Sequence, residues 1–209
     1  MRKQLVTLLL TFIFCLTAVV PGFAASASIP AADNIKAMEI MLYGAVQEGS
    51  LVERMDTIEY DVNGLMTSEP ILERIDEMHA YLTQKGEDGG ASFVTRLNTV
   101  EWRLNESMSG GPAKARIEVV EKLLNGKATD GALSTRLEEL LEVVSYEGGV
   151  VPVQEVTLPK DSVIKVEFTK ELGNKISKVG DEVSFKAADN LYVNDVLVLP
   201  KGATGVGSE

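Results

Sequence analysis

The chain has 209 residues, with 20 Lys+Arg against 31 Asp+Glu and a formal net charge of −11. Such an acidic chain repels phosphate backbones, which excludes broad nucleic-acid binding. A single Cys and a single His weigh against zinc clusters, Cys–His nucleophile pairs and Ser-His-Asp triads.

Arg2 and Lys3 open the chain, and Leu5 to Val20 forms an apolar run of about 16 residues. Pro21-Gly22 breaks the run, and Ala24, Ala25, Ser26 and Ala27 follow. A positive start, an apolar core and a small-residue exit predict a secretory signal peptide over 1–24, cut after Ala24. An uncleaved anchor is the other reading, but the run is shorter than the roughly 20 residues of a span. Cys15 lies inside the run behind Phe14, not behind the small residue that a lipidated Cys needs. The expected mature chain begins at a linker over 25–33 and has no cysteine, so disulfides cannot hold it together.

From residue 34 to 147 the sequence repeats. Arg54, Arg74, Arg96, Arg116 and Arg136 stand at steps of 20, 22, 20 and 20. Apolar residues recur three places before each Arg and one, four and eight places after it, as in Phe93, Leu97, Val100 and Leu104 around Arg96. An earlier copy has Asn34 in the Arg place, followed by Ile35, Met38 and Leu42. At about 100° per residue these offsets fall within a stripe roughly 60° wide. Each copy therefore reads as an amphipathic helix of about 12 residues, and the glycines between copies read as loops and caps. Helices this short are marginal alone. About six of them must share apolar faces, as a bundle or as a short solenoid.

Five places after the Arg stands a Glu in four copies: Glu39, Glu59, Glu101 and Glu121. His79 and Leu141 take that place in the others. Arg and Glu flank the apolar stripe on opposite sides, so neighbouring helices can pair them. Because the pattern recurs with the fold rather than at one place, it reads as a structural ladder and not as a ligand-binding strip. Pairs at exposed helix borders are worth about 0–1 kcal/mol each.

After a linker over 148–151 the periodicity changes to two. Ile164, Val166 and Phe168 alternate with polar residues, as do Val183, Phe185 and Ala187. Asn194-Asp195 separates two apolar runs and predicts a hairpin. The acidity belongs to the helical part, with 11 basic and 22 acidic residues over 25–149 against 7 and 9 from 150 onward. A phrase occurs twice, as Leu158-Pro159-Lys160-Asp161-Ser162 and Leu199-Pro200-Lys201-Gly202-Ala203, with Lys178-Val179-Gly180-Asp181 between. Over about 152–207 this resembles a β-domain of exported bacterial envelope proteins, of the pattern LPxGTxI, KxGD, LPKGA. A related phrase occurs in the outer-membrane channel component of type IV secretion systems. The resemblance implies a β-sandwich or barrel-like envelope module without catalysis. Asp161 departs from it, since Gly is usual there. A domain over 152–209 is short for a self-sufficient sandwich, so the β module reads as incomplete. The helical repeats more weakly resemble "R-h-x-x-h-E-x-x-h-x-G" arrays of secreted bacterial proteins.

The expected fold class is α+β in separate domains: the helical array, then a small antiparallel β module. Neither a phosphate loop nor a nucleophile elbow is found, and Glu87-Asp88 and Asp130-Gly131 lack calcium-loop spacing. No catalytic residue, cofactor or metal is expected. His79 reads as a substituted ladder position, and Trp102 and Tyr81 as packing aromatics or exposed binding aromatics. The expected function is a non-enzymatic, exported interaction or structural module of the periplasm or cell surface. Its partners would be envelope proteins, a cell-wall polymer or further copies of itself, with no span once the signal is cut. Two alternatives are a component of a secretion or conjugation channel and a carboxylate-dependent cell-wall hydrolase.

Overall fold

Amphipathic stripes recurring every 20 residues produce six helices in the computed structural model, which describes residues 31–67, 70–83, 90–144, 149–153, 156–170 and 182–208. The signal-peptide segment, Glu87-Asp88 and the Lys178–Asp181 turn lie outside the described residues. The helices are α1 (Ala32–Tyr43), α2 (Leu51–Asn63), α3 (Leu72–Thr83), α4 (Phe93–Asn105), α5 (Ala113–Asn125) and α6 (Leu133–Val144). Ser92 caps α4, its Oγ accepting from the Thr95 N–H at 3.1 Å. Gly126 ends α5 at φ +76°, a conformation open to glycine.

The stripe is the core. Ile35, Met38 and Leu42 from α1, Met55, Ile58 and Val62 from α2, and Ile75, Met78 and Leu82 from α3 are buried together. They pack with Leu97 and Val100 of α4, Ile117 and Val120 of α5, and Leu137 and Leu140 of α6. Leu104, Leu124 and Val144, at the last stripe position of the later copies, are only partly buried against it. Each helix touches the next, and contacts between α1 and α6 and between α2 and α5 close the array into a bundle.

The two halves differ in hand. Inside α1–α3 the backbone φ lies between +30° and +68°, the left-handed sense, whereas no residue of α4–α6 has a positive φ. An L-residue pays about 1–2 kcal/mol in a left-handed helix. Over three helices that sum exceeds the roughly 5–15 kcal/mol by which a whole domain is stable. Nothing in the repeat distinguishes the halves in a way that would favour opposite hands.

Five strands follow: β1 (Val166–Phe168), β2 (Glu182–Ala187), β3 (Leu191–Val193), β4 (Val196–Leu199) and β5 (Thr204–Ser208). One antiparallel sheet has the order β1-β2-β5, and β3 and β4 form a separate hairpin. Asn194 and Asp195 make its turn at φ +50° and +63°, the conformation that two-residue hairpins use. Gly205 of β5 lies over the Phe185 ring, where a Cβ would collide with ring carbons. β5 is the antiparallel partner of β2. Among the described residues of this module the buried hydrophobics are Val183, Ala187, Ala188 and Val193.

Candidate functional site: the arginine–glutamate ladder

The structure brings four Arg–Glu pairs together, each joining a helix to the one before it. Arg54 Nε donates to Glu39 Oε1 at 2.6 Å and Arg74 Nε to Glu59 Oε1 at 2.7 Å. In the right-handed half the contacts are forks. Arg116 gives Nε to Glu101 Oε1 at 3.0 Å and Nη2 to Oε2 at 2.6 Å. Arg136 gives Nε to Glu121 Oε1 at 2.8 Å and Nη2 to Oε2 at 2.7 Å. Two parallel bonds are the strong form of this pair. In the left-handed half, Arg54 Nη2 and Glu59 Oε2 have no partner among the described residues.

These pairs are not exposed border contacts. The four carboxylates are 0–3% exposed and their arginines 7–17%. Three of the four carboxylates also have a third partner that helix periodicity does not reveal. Eight residues after the Glu, the interhelical loop folds back and donates a backbone N–H: Gln47 to Glu39 at 3.0 Å, Ser109 to Glu101 at 2.9 Å, Thr129 to Glu121 at 3.0 Å. Glu39, Glu101 and Glu121 thus each tie their own helix, the following loop and the next helix at one point, while Glu59 has no such loop bond among the described residues. Thr129 Oγ1 adds a further bond to Glu121 Oε1 at 2.5 Å.

A second acceptor also escaped the sequence reading. Arg74 Nη2 reaches Asp56 at 3.1 Å and Arg116 Nη2 reaches Asn98 at 2.7 Å. Both acceptors stand two places after the preceding Arg, where Asp76, Glu118 and Glu138 also stand. An acceptor at this position in all five copies that carry the Arg, against Lys36 in the first copy, was the available signal.

Charge follows geometry. Burial alone would raise the Glu121 carboxyl, but the bonds from Arg136 and from the Thr129 hydroxyl and N–H outweigh it and hold it below the ordinary glutamate value. The bonds to Glu121, Glu59 and Glu39 hold Arg136, Arg74 and Arg54 above theirs. Burial pushes the Tyr43 phenol up, and the charges of Asp61 and Glu39 add to it.

Arg96 is the exception. The Glu place before it holds His79, half-buried on α3. Arg96 reaches instead to Glu138 at 3.4 Å, and its Nε has no partner among the described residues. Of the two aromatics, Tyr81 is 47% exposed. Trp102 is half-buried and lines a cavity of about 640 Å³ between α4, residues 151–153, Val156 and the β3–β4 hairpin. Among the described residues no group of three His, Cys, Asp or Glu side chains could hold a metal, and no helix is long and apolar enough to cross a membrane. No protein-family model, curated protein or solved structure matches the chain.

Proposed function

We propose that the chain is a non-enzymatic structural or interaction module of the bacterial cell envelope, in which a helical scaffold carries a small β module. The observation that carries this reading is the engagement of the repeated charges. Each of the four buried carboxylates accepts from the next helix's arginine, and three of them also from the following loop. Groups bound this way hold a scaffold and are not presented to a substrate. The signal-like N-terminus and the envelope-type phrases of the β module support export. Chemical crosslinking in intact cells, read by mass spectrometry, tests the reading. Crosslinks to envelope proteins or to cell-wall polymer are expected from the exported chain. A retained Met1 on a cytoplasmic protein would overturn export. Cell-wall glycan hydrolysis lost in a Glu or Asp variant away from the ladder would overturn the non-enzymatic reading.

A further inference from the structure

The phrase Leu199-Pro200-Lys201-Gly202-Ala203 forms a turn at the edge of the β module. We propose that this turn is the docking element that fixes the β module to the helical array, and that the α4–α5 loop is its receptor. The turn is closed by the Ala203 N–H donating to the Pro200 carbonyl at 3.1 Å, with Gly202 at φ +86°. The β module grips it from behind. Lys201 N–H donates to Asn190 Oδ1 at 2.7 Å, and Gly202 N–H donates to the Ala187 carbonyl at 2.9 Å. The Lys201 carbonyl accepts from the Met108 N–H of the α4–α5 loop at 2.8 Å. The next N–H of that loop, on Ser109, is already held by Glu101. The receptor is therefore a loop stiffened by a ladder rung.

Gly202 is what permits the approach. A Cβ there would overlap the Met108 backbone carbonyl, and backbone cannot swing aside as a side chain can. The other copy of the phrase is a natural control. Its Ser162 N–H donates to the Pro159 carbonyl at 3.2 Å, and Asp161 stands in the glycine place at φ +65°. That turn is exposed, and among the described residues its Lys160 carbonyl accepts no bond. The same turn with a Cβ at its third place is left undocked. Docking also answers a need of the module, whose described residues include few buried apolar ones to make an independent core.

The test uses the full mature chain and residue-resolved amide exchange. In Gly202→Asp, which copies the undocked turn, Met108 exchange should quicken by about tenfold or more while the Glu182–Ala187 amides of β2 keep their protection. Unchanged Met108 protection would overturn the proposal. A second measurement covers a variant that unfolds. In the otherwise cysteine-free mature chain, Met108→Cys with Lys201→Cys should be joined within one molecule by a short bifunctional thiol reagent. Absence of that product, or its appearance only between two molecules, would also overturn the docking.

Discussion

Replacing Glu121 by Ala removes the acceptor at the centre of the last rung. It leaves the Arg136 guanidinium, whose side chain is 7% exposed, with no carboxylate opposite it. Two arginine bonds, the Thr129 N–H bond and the Thr129 hydroxyl bond are lost together. Removing one member of a buried ion pair costs about 3–5 kcal/mol, because the remaining charge stays desolvated. For a chain of this size that is a fall in melting temperature of roughly 6–20 °C. Glu121→Leu with Arg136→Met removes both charges and keeps the volume, and such replacements are often neutral or stabilising. Urea unfolding of the wild type, Glu121→Leu, Arg136→Met and the double variant forms a cycle that isolates the pair. The expected coupling is well above the roughly 0–1 kcal/mol of an exposed pair. Two results would refute the reasoning: a Glu121→Ala chain within about 0.5 kcal/mol of wild type, the range of ordinary surface changes, or a double variant that loses the sum of the two single losses.

The same carboxylate sets a pH dependence. Because its folded pKa lies below its unfolded one, its contribution is present above the ordinary glutamate range and is lost as pH falls through the folded value. Melting temperature should therefore drop most steeply below about pH 4, and the deficit of Glu121→Gln relative to wild type should shrink there; a deficit independent of pH contradicts this. Core depth follows the stripe. Leu97→Ala and Leu137→Ala, at fully buried positions, should cost about 2–5 kcal/mol, and Leu104→Ala and Leu124→Ala, only partly buried, below about 2 kcal/mol. Equal losses at all four sites would mean that the register is wrong. Helix hand is read by far-ultraviolet circular dichroism. The six helices have 12 or 13 residues each, so opposite hands in the two halves would cancel almost completely. The cost of left-handed L-residues leads us to expect a strong negative band at full helix content, and a near-zero band would show that both hands persist in solution.

Much of the fold was legible because helix packing is written locally. An apolar residue at a stripe position points to the core whichever neighbour it meets, so the buried sets of α1–α6 follow from spacing alone. The choice between bundle and solenoid was not legible, since amphipathicity names the buried face but not the helix that covers it. The depth of the ladder was hidden for a similar reason. Arg116 and Glu101 were readable as partners, but the Ser109 N–H that helps to cover Glu101 belongs to a loop whose path no periodicity records. The Leu199–Ala203 phrase read as a mark of a β module, and only the placement of Met108 beside it reveals a contact with the helices.

The partners of the arginines divide the array at the one long step in their spacing. Rungs join α1 to α2, α2 to α3, α4 to α5, and α5 to α6. The ends are closed sensibly: α1 has no preceding Glu and carries Asn34 in the Arg place, while α6 has no following Arg and carries Leu141 in the Glu place. Between α3 and α4 the logic is broken within the array, with His79 in the Glu place and a step of 22. Arg96 pairs within its own half, with Glu138 of α6. Among the described residues one ion pair crosses the break, Lys114 of α5 with Asp61 of α2; its carboxylate is 14% exposed but its lysine 47%, so water screens it more than it screens the rungs. Six helices of one repeat are thus two ladders of three. Their mutual packing rests on apolar contact between α3 and α4, α2 and α5, and α1 and α6, not on the buried carboxylates that bind each set of three.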